Sequence, residues 1–323
     1  MRRIIGRLLS VSGQNKLHRD NFNTQCSPGI SIMALTIHTN YSSLLTQTNL
    51  NKTNNALAVN QQRLGTGLRI NSAADDAAGL QIATRMNAQS KGMAVALRNV
   101  SDASSLLQTA DGSLNELTDI MQRMKDLATQ SANGTNSDAD RTSMQAEYDE
   151  LGKEMHNIME NTAYAGEKLF GSDGTTGKFG SAVAFQIGAS AAETLDLDLS
   201  AQTSGLGTEL GGLSKSYGAA PVSGTEISTS TAANAQITAL SAALDSVGEL
   251  RGQFGANINR LNHTANNLSN VKDNTEMARG RIMDADFASE SAMMSKNSML
   301  MQSGISMLKQ TGQMPSMVMS LLG

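Results

Sequence analysis

Large aromatic side chains are scarce in this chain of 323 residues. Trp is absent, aromatic residues make up 3% of the sequence, and charged residues make up only 17%. Globular enzymes usually hold their cores with large aromatic side chains, so a core here must consist of Ala, Leu, Met, Ile and Val. Such residues suit helix-on-helix packing, and the 19 Met can fill irregular seams at little cost in helix propensity.

Cysteine and clustered positive charge are also scarce. Cys26 is the only cysteine, so a disulfide framework or a thiolate metal site is excluded from Met33 onward. The net charge is −4, and five of the basic residues lie within 1–32, against one acidic residue there. Nucleic acids and anionic membrane surfaces need clustered Lys and Arg, and no run approaches the ~20 apolar residues of a membrane span. We therefore expect neither nucleic acid nor a membrane span.

One long apolar stripe is the strongest physical pattern in the sequence. Its residues follow alternating steps of three and four, which is the 3.5-residue spacing of packed helices. They are Met93, Ala96, Val100, Ala103, Leu107, Ala110, Leu114, Leu117, Met121, Met124 and Ala128. The pattern predicts a long helix that ends near Gly134, followed by a shorter helix over about 138–164.

A second stripe lies towards the other end of the chain. It comprises Ile237, Leu240, Leu244, Val247, Leu250, Phe254, Ile258, Leu261, Ala265, Leu268 and Val271. Neither helix can bury its stripe alone, so the two are expected to pair antiparallel. Between them, 166–231 is rich in Gly and Ser, and KFGSAVAFQIG and ETLDLDLS alternate as strands do. The predicted fold is mainly α, a long antiparallel helical bundle or coiled coil formed by both termini, with a small insert containing a β-hairpin.

Two outer helices have looser patterns, one carrying Leu50, Leu57, Leu64 and Leu68, and one that is Met-rich near the C-terminus. A monomer would expose much of their apolar surface, which soluble monomers rarely tolerate. We expect these helices to become ordered on assembly.

Three patterns resemble ligand sites and fail on inspection. The acidic loop from Asn136 to Glu147 has Arg141 where a calcium loop needs Gly. His156 and Glu160 are one helical turn apart without a third metal ligand nearby. The glycines at 205–211 lack the spacing and the strand-to-helix context of a dinucleotide loop. We predict no catalytic residue, no cofactor and no metal.

Several segments resemble bacterial flagellins. They are MALTIHTNY from Met33, LLTQTNLNKTNNAL (44–57), RLGTGLRINSAADDAAGLQIATRM (63–86), the run 101–137, RGQFGANINRLNHTANNLSN (251–270), RIMDADFASE (281–290) and the closing MVMSLLG. The resemblance covers about 34–165 and 235–323, in order, at both ends. Residues 1–32 have no counterpart in it, so we expect them to be a non-native or mis-annotated extension, with translation starting at Met33.

The resemblance implies a filament subunit of the bacterial flagellum, exported by the flagellar type III apparatus and located outside the cell. It implies an inner-tube domain from 34–75 and 284–323, a helical bundle with a β-hairpin from 76–200 and 232–283, and a short variable surface insert at 201–231. The sequence also resembles lateral flagellins more than polar ones. A hook–filament junction protein is the alternative, since it shares such terminal helices; a filament peptidase would need a zinc motif, which 166–231 lacks.

Partners are implied by the resemblance as well. They are further copies of the chain, an export chaperone at the C-terminal helix, and the filament cap and hook-junction proteins. Flagellins sensed by the host Toll-like receptor 5 use an Arg and a Leu on the first long helix and a Glu on the next. The matching positions here are Arg123, Leu127 and Glu147, which could equally contact neighbouring subunits.

Overall fold

Within the part of the chain that the structure describes, the fold contains six α-helices and two small hairpins. The structure, a computed structural model, describes residues 40–218 and 220–322, and within 314–322 it describes the backbone alone. In chain order the elements are α1 (Tyr41–Thr66), α2 (Ala77–Ala132), α3 (Asp138–Asn161), β1 (Ala163–Tyr164), β2 (Glu167–Lys168), β3 (Val183–Gln186), β4 (Thr194–Leu197), α4 (Ser200–Leu213), α5 (Ser230–Met283) and α6 (Phe287–Leu322). The predicted extension 1–32 and the expected start at Met33 lie outside the described residues.

Helices α2 and α5 form the antiparallel pair that the two stripes predicted. Ser90 Oγ lies 2.7 Å from Glu276 Oε1, whereas at the other end Ser230 Oγ donates to the carbonyl of Ala132 at 2.7 Å. Every residue of the first stripe is buried, with 3% exposure or less. The second stripe is buried or partly buried as far as Leu268, but Val271 is 39% exposed, so its predicted burial is wrong.

Each long helix begins with a side-chain cap. Asp76 accepts from the N–H of Gly79 at 2.8 Å before α2, and Thr229 accepts from Ala232 N before α5. Ser137 and Asp140 form a reciprocal capping box at the start of α3. Asp138 and Asp140, two acidic residues of the segment weighed as a calcium loop, thus lie in the first turn of α3.

The insert contains the predicted strands and also a helix that the sequence did not indicate. Strands β3 and β4 pair antiparallel, with Val183 opposite Leu197. Helix α4 includes the glycines at 205–211 and buries Leu206, Leu210 and Leu213 in the same core as α2 and α5. Gly207 is needed because the backbone of Asp173 would lie 2.4 Å from its Cβ. The segment predicted as a variable surface insert thus contributes to the core.

The structure divides into two compact units. The described residues up to Ala58 and from Met294 form one unit, and Val59–Met293 form the other. The sequence predicted these divisions after residue 75 and before residue 284. The difference arises because hydrogen bonds join the turn after α1 to the turn after α5, so both turns belong to the larger unit.

Candidate assembly surfaces

The unit built from the chain ends carries many exposed apolar side chains. Between 43% and 67% of each is exposed, whereas Leu107, Leu114 and Leu250 in the α2–α5 core are fully buried. The exposed set is Tyr41, Leu44 and Leu45 on α1, and Met299, Leu300, Ile305 and Met307 on α6. The two helices touch within this unit: a Cβ added at Gly304 would lie 3.1 Å from Leu50 Cδ1, and Asn40 Nδ2 donates to the carbonyl of Thr311 at 2.8 Å.

In the larger unit, the turn between α1 and α2 pairs with the turn between α5 and α6. Arg69 N donates to the carbonyl of Met283 at 2.6 Å, and Ala285 N donates to that of Gly67 at 2.9 Å. Leu68 and Asp284 form the antiparallel bridge between them. We call these two segments, 67–76 and 284–286, the paired turns. The segments that resemble flagellins most specifically, 63–86 and 281–290, therefore lie together.

An ion pair flanks the paired turns. Arg63 Nη1 lies 3.0 Å from Glu290 Oε1, and the two side chains are 28% and 8% exposed. Arg63 Nε and Glu290 Oε2 are buried without a hydrogen-bond partner among the described residues. A single hydrogen bond thus joins two groups that could form a bidentate pair.

The first paired turn is held by two adjacent carboxylates. Asp75 accepts hydrogen bonds from the backbone N–H groups of Ser72 and Asn71 and from the Ser72 hydroxyl. These bonds lower the pKa of Asp75 below its ordinary value of 3.8, and the bond from the Ser72 N–H has the largest effect. Because Asp76 caps α2, the Asp-Asp pair fixes both the turn and the start of the long helix.

Arg123 and Glu147 lie side by side on the surface of α2 and α3. Arg123 donates from Nε at 2.9 Å and from Nη2 at 2.6 Å to Glu147 Oε1, and both side chains are about half exposed. Leu127, one helical turn beyond Arg123, is only 2% exposed. Of the three predicted contact residues, two are accessible in the single subunit, and the third packs in its core.

Arg141 has a role that the sequence did not reveal. It is 7% exposed, and its guanidinium donates to the carbonyls of Ser131 at 2.8 Å, Asn133 at 3.0 Å and Asn136 at 3.3 Å. A cation at a helix C-terminus satisfies carbonyls that have no partner within the helix and complements the negative dipole end. Arg141 therefore helps to close the C-terminal end of α2 at Ala132. The sequence had predicted that Gly134 ends this helix. No local sequence pattern signalled this role of Arg141.

The residues weighed as metal ligands are engaged in other contacts. Glu160 pairs with Lys168 and accepts from Ser172 N at 3.2 Å. The His156 ring packs edge-on against Tyr217, with centroids 5.5 Å apart. Across 40–218 and 220–322, no group of three or more His, Cys, Asp or Glu residues could hold a metal. Within these same ranges, no helix is both apolar and long enough to span a membrane.

Helices with exposed apolar side chains towards both ends of the chain, together with a closely packed antiparallel pair, are typical of an α-helical subunit that assembles with other subunits. Comparison with known families agrees. The bacterial flagellin N-terminal helical region matches residues 37–175, and the bacterial flagellin C-terminal helical region matches residues 237–322. The chain belongs to the bacterial flagellin family.

Similar proteins include several flagellins of Vibrio. Polar flagellin C of Vibrio parahaemolyticus is 34% identical over 390 residues, which covers 90% of this chain and all of that protein. Flagellin A of Vibrio anguillarum is 34% identical and flagellin A of Vibrio cholerae 33% identical, with the same coverage. The chain is therefore a structural subunit of the bacterial flagellar filament. Its assignment to the lateral subclass stays a prediction.

Two solved structures match the chain. A putative flagellar hook-associated protein from Vibrio parahaemolyticus aligns with a TM-score of 0.52 over 65% of this chain and all of that chain, at 16% identity. At that identity the likeness concerns the fold alone. The crystal structure of Bacillus cereus flagellin is 31% identical, with a TM-score of 0.43 over 53% of this chain and 88% of that chain. Both family matches and the Vibrio relatives identify a flagellin, and nothing favours the hook-junction alternative.

Proposed function

We propose that subunits leave the cell through the flagellar export apparatus and that their terminal helices then dock on neighbouring subunits to build the filament outside it. The observation that carries this proposal is the exposed apolar surface on both chain ends. Burying half-exposed Leu, Met, Ile and Tyr side chains against neighbouring copies supplies about 25 cal/mol for each Å² removed from water. Assembly thus offsets an exposure that is unfavourable in the free subunit. The proposed role is structural, without catalysis.

Removal of one terminal helix tests the assignment. Deleting Asp284–Gly323 is expected to give a soluble protein with a folded α2–α5 pair that does not polymerise. Circular dichroism checks the fold, and sedimentation with electron microscopy checks for filaments. Filaments formed by the truncated chain would refute the role assigned to this helix.

A matched pair of variants tests whether polymerisation depends on the apolar side chains of α1 or only on the helix being present. Leu44 and Leu45 are exposed apolar residues of α1, whereas Gln47 and Asn49 are exposed polar residues of the same helix. L44S/L45S is expected to raise the critical concentration for polymerisation by about tenfold or more, since losing about 1.4 kcal/mol corresponds to a factor of ten. Q47S/N49S should stay close to the wild type. An equal effect of both variants would indicate that helix propensity, not apolar contact, is responsible.

The same exposed helix provides a place for accessory proteins. An export chaperone that covers the apolar side chains of α6 would keep free subunits from associating early, and the filament cap and hook-junction proteins would contact the same chain ends in the assembled filament. Titration of the full chain with its purified chaperone should show binding that the deletion of Asp284–Gly323 abolishes. Undiminished binding to the truncated chain would place the chaperone elsewhere.

A second role concerns Arg123 and Glu147. Their half-exposed ion pair is accessible in the free subunit, which favours recognition by the host Toll-like receptor 5 before assembly; Leu127 would support that surface from beneath. R123A/E147A monomer should activate receptor reporter cells at least about tenfold less than wild type, the loss expected for hot-spot residues. Q122A, at an exposed polar position on α2, is the control. An inactive wild-type monomer would remove this role.

A further inference from the structure

Among the methionines whose side chains the structure describes, two groups differ clearly in exposure, and Met86, Met283, Met294 and Met301 lie between them. Six are buried, with 0–9% exposed, and all lie in α2 or α3: Met93, Met121, Met124, Met144, Met155 and Met159. Four are 50–65% exposed, and all lie in the last two turns of α5 or in α6: Met277, Met293, Met299 and Met307. The thioether groups of α2 and α3 are thus shielded from solvent, whereas those of the four methionines in α5 and α6 are exposed to it.

Two of the exposed group, Met299 and Met307, belong to the apolar surface assigned to assembly. Met299 and Met307 lie in the terminal-helix unit with Leu300 and Ile305, and Met277 and Met293 lie in the larger unit, close in sequence to the second paired turn. No thiol competes for oxidants after the single Cys26. Thioethers are therefore the oxidisable sulfur groups of these surfaces.

We propose that Met277, Met293, Met299 and Met307 are sites of reversible oxidation by peroxides, and that their oxidation in the free subunit blocks polymerisation without unfolding the subunit. This inference rests on the proposed assembly through the chain ends. With hydrogen peroxide, the thioether sulfur attacks one peroxide oxygen, the S–O bond forms as the O–O bond breaks, and the second oxygen leaves as water. The sulfur is oxidised by two electrons, the peroxide is reduced, and methionine sulfoxide results, which sulfoxide reductases convert back.

The physical effect follows from polarity. A sulfoxide carries a strong hydrogen-bond acceptor in place of a soft apolar atom, and burying it without a donor is costly. In the free subunit the exposed side chains keep the sulfoxide in water, so the fold does not change. On docking, the same group would enter an apolar contact, so assembly becomes less favourable. The six buried methionines are protected by the packing of α2, α3 and α5.

The test uses the full chain as monomer, treated with hydrogen peroxide and then polymerised on filament seeds. Peptide mass spectrometry should find sulfoxide at the four exposed positions well before the six buried ones, with unchanged helical circular dichroism. The critical concentration should rise by about tenfold or more, and a mixture of both sulfoxide reductases with reductant should restore it.

Two matched variants keep the inference falsifiable. M277L/M293L/M299L/M307L should polymerise as well as the wild type before peroxide, since Leu replaces Met at small cost in packing, and should be much less inhibited than the wild type after it. M121L/M124L/M155L/M159L, with Leu at four buried positions, should remain as sensitive as the wild type.

The outcomes distinguish the inference from the function beneath it. Oxidation at the four sites with an unchanged critical concentration would overturn the inference alone, as would equal sensitivity of the exposed-site variant. Failure of untreated chains to add to seeds would overturn the proposed function as well.

Discussion

Arg141 closes the C-terminal end of α2 through three backbone carbonyls. R141A would leave the buried carbonyl of Ser131 without this donor, so we expect the free energy of unfolding to fall by about 1–3 kcal/mol. R141K should recover only part of it, because one ammonium cannot span three carbonyls as the planar guanidinium does. Urea unfolding followed by circular dichroism measures both. R98A, at an exposed position on α2, is the control, and a loss as large as that of R141A would contradict the capping role.

Asp140 gives the start of α3 a dependence on pH. The hydroxyl and then the backbone N–H of Ser137 lower the pKa of Asp140 below its ordinary value of 3.8. A carboxylate with a lowered pKa stabilises the folded state above its unfolded pKa and loses this effect as the pH falls through its folded pKa. D140A should therefore have a lower Tm than wild type near neutral pH, with the difference shrinking as the pH falls below 3.8 and through the lowered pKa of Asp140.

Melting curves from about pH 7 to about pH 2.5 measure this difference. D138A removes an acidic residue from the same turn and leaves the capping box intact, so it should show a smaller pH-dependent difference. A Tm difference for D140A that does not change with pH would show that the charge of Asp140 is irrelevant to the cap.

At the scale of elements, the β3–β4 hairpin packs against α2 at a glycine. A Cβ on Gly92 would lie 2.8 Å from Ala189 Cβ, whereas one on Gly112 in the same helix would meet nothing within 4 Å. G92A should destabilise the protein by about 1–2 kcal/mol through overpacking, and G112A should stabilise it by up to about 1 kcal/mol through helix propensity. Hydrogen exchange of the β3–β4 amides should increase only in G92A. Stabilisation of both variants would show that the close approach imposes no constraint.

The ion pair beside the paired turns and the pair on the α2–α3 surface form a natural comparison. Glu290 is 8% exposed and Glu147 47% exposed. E290A leaves Arg63 without its partner in a largely buried site, so a loss of about 3 kcal/mol is expected. E147A should lose less than about 1 kcal/mol, because solvent screens that pair. Chemical unfolding of both variants measures this, and equal losses would mean that burial does not set the strength of the pair.

The element pattern also shows what sequence periodicity missed. Helix α4 contains four glycines, at 205, 207, 211 and 212. Glycine disfavours helices, so the local composition did not predict one. The spacing of Leu206, Leu210 and Leu213 was the available signal, since these residues lie on one helical face and are buried. The close approach of the Asp173 and Gly174 backbone explains only Gly207, because a Cβ on Gly205, Gly211 or Gly212 would meet nothing within 4 Å.

For the molecule as a whole, the two units should differ in resistance to protease. The unit formed by the terminal helices leaves large parts of its apolar side chains exposed. The free energy of local unfolding should therefore be lower there than in the closely packed α2–α5 pair. Trypsin should cut free subunits first at the exposed Lys52, Lys296 and Lys309, leaving a stable fragment close to 59–293. Assembled filaments should resist cleavage at these sites. First cleavage within 77–283 would contradict this order of stability.

The sequence alone determined the antiparallel α2–α5 pair, because the heptad spacing of 93–128 and 237–268 leaves each helix one apolar face to bury and only the other helix to bury it against. It also determined the β3–β4 hairpin through alternation, and the family through the segments at both ends. Packing in three dimensions decided the rest. The roles of Arg141, Leu127 and α4 depend on contacts made in the folded chain. Periodicity along one segment does not report such contacts. The paired turns likewise exist because hydrogen bonds join residues more than 200 positions apart.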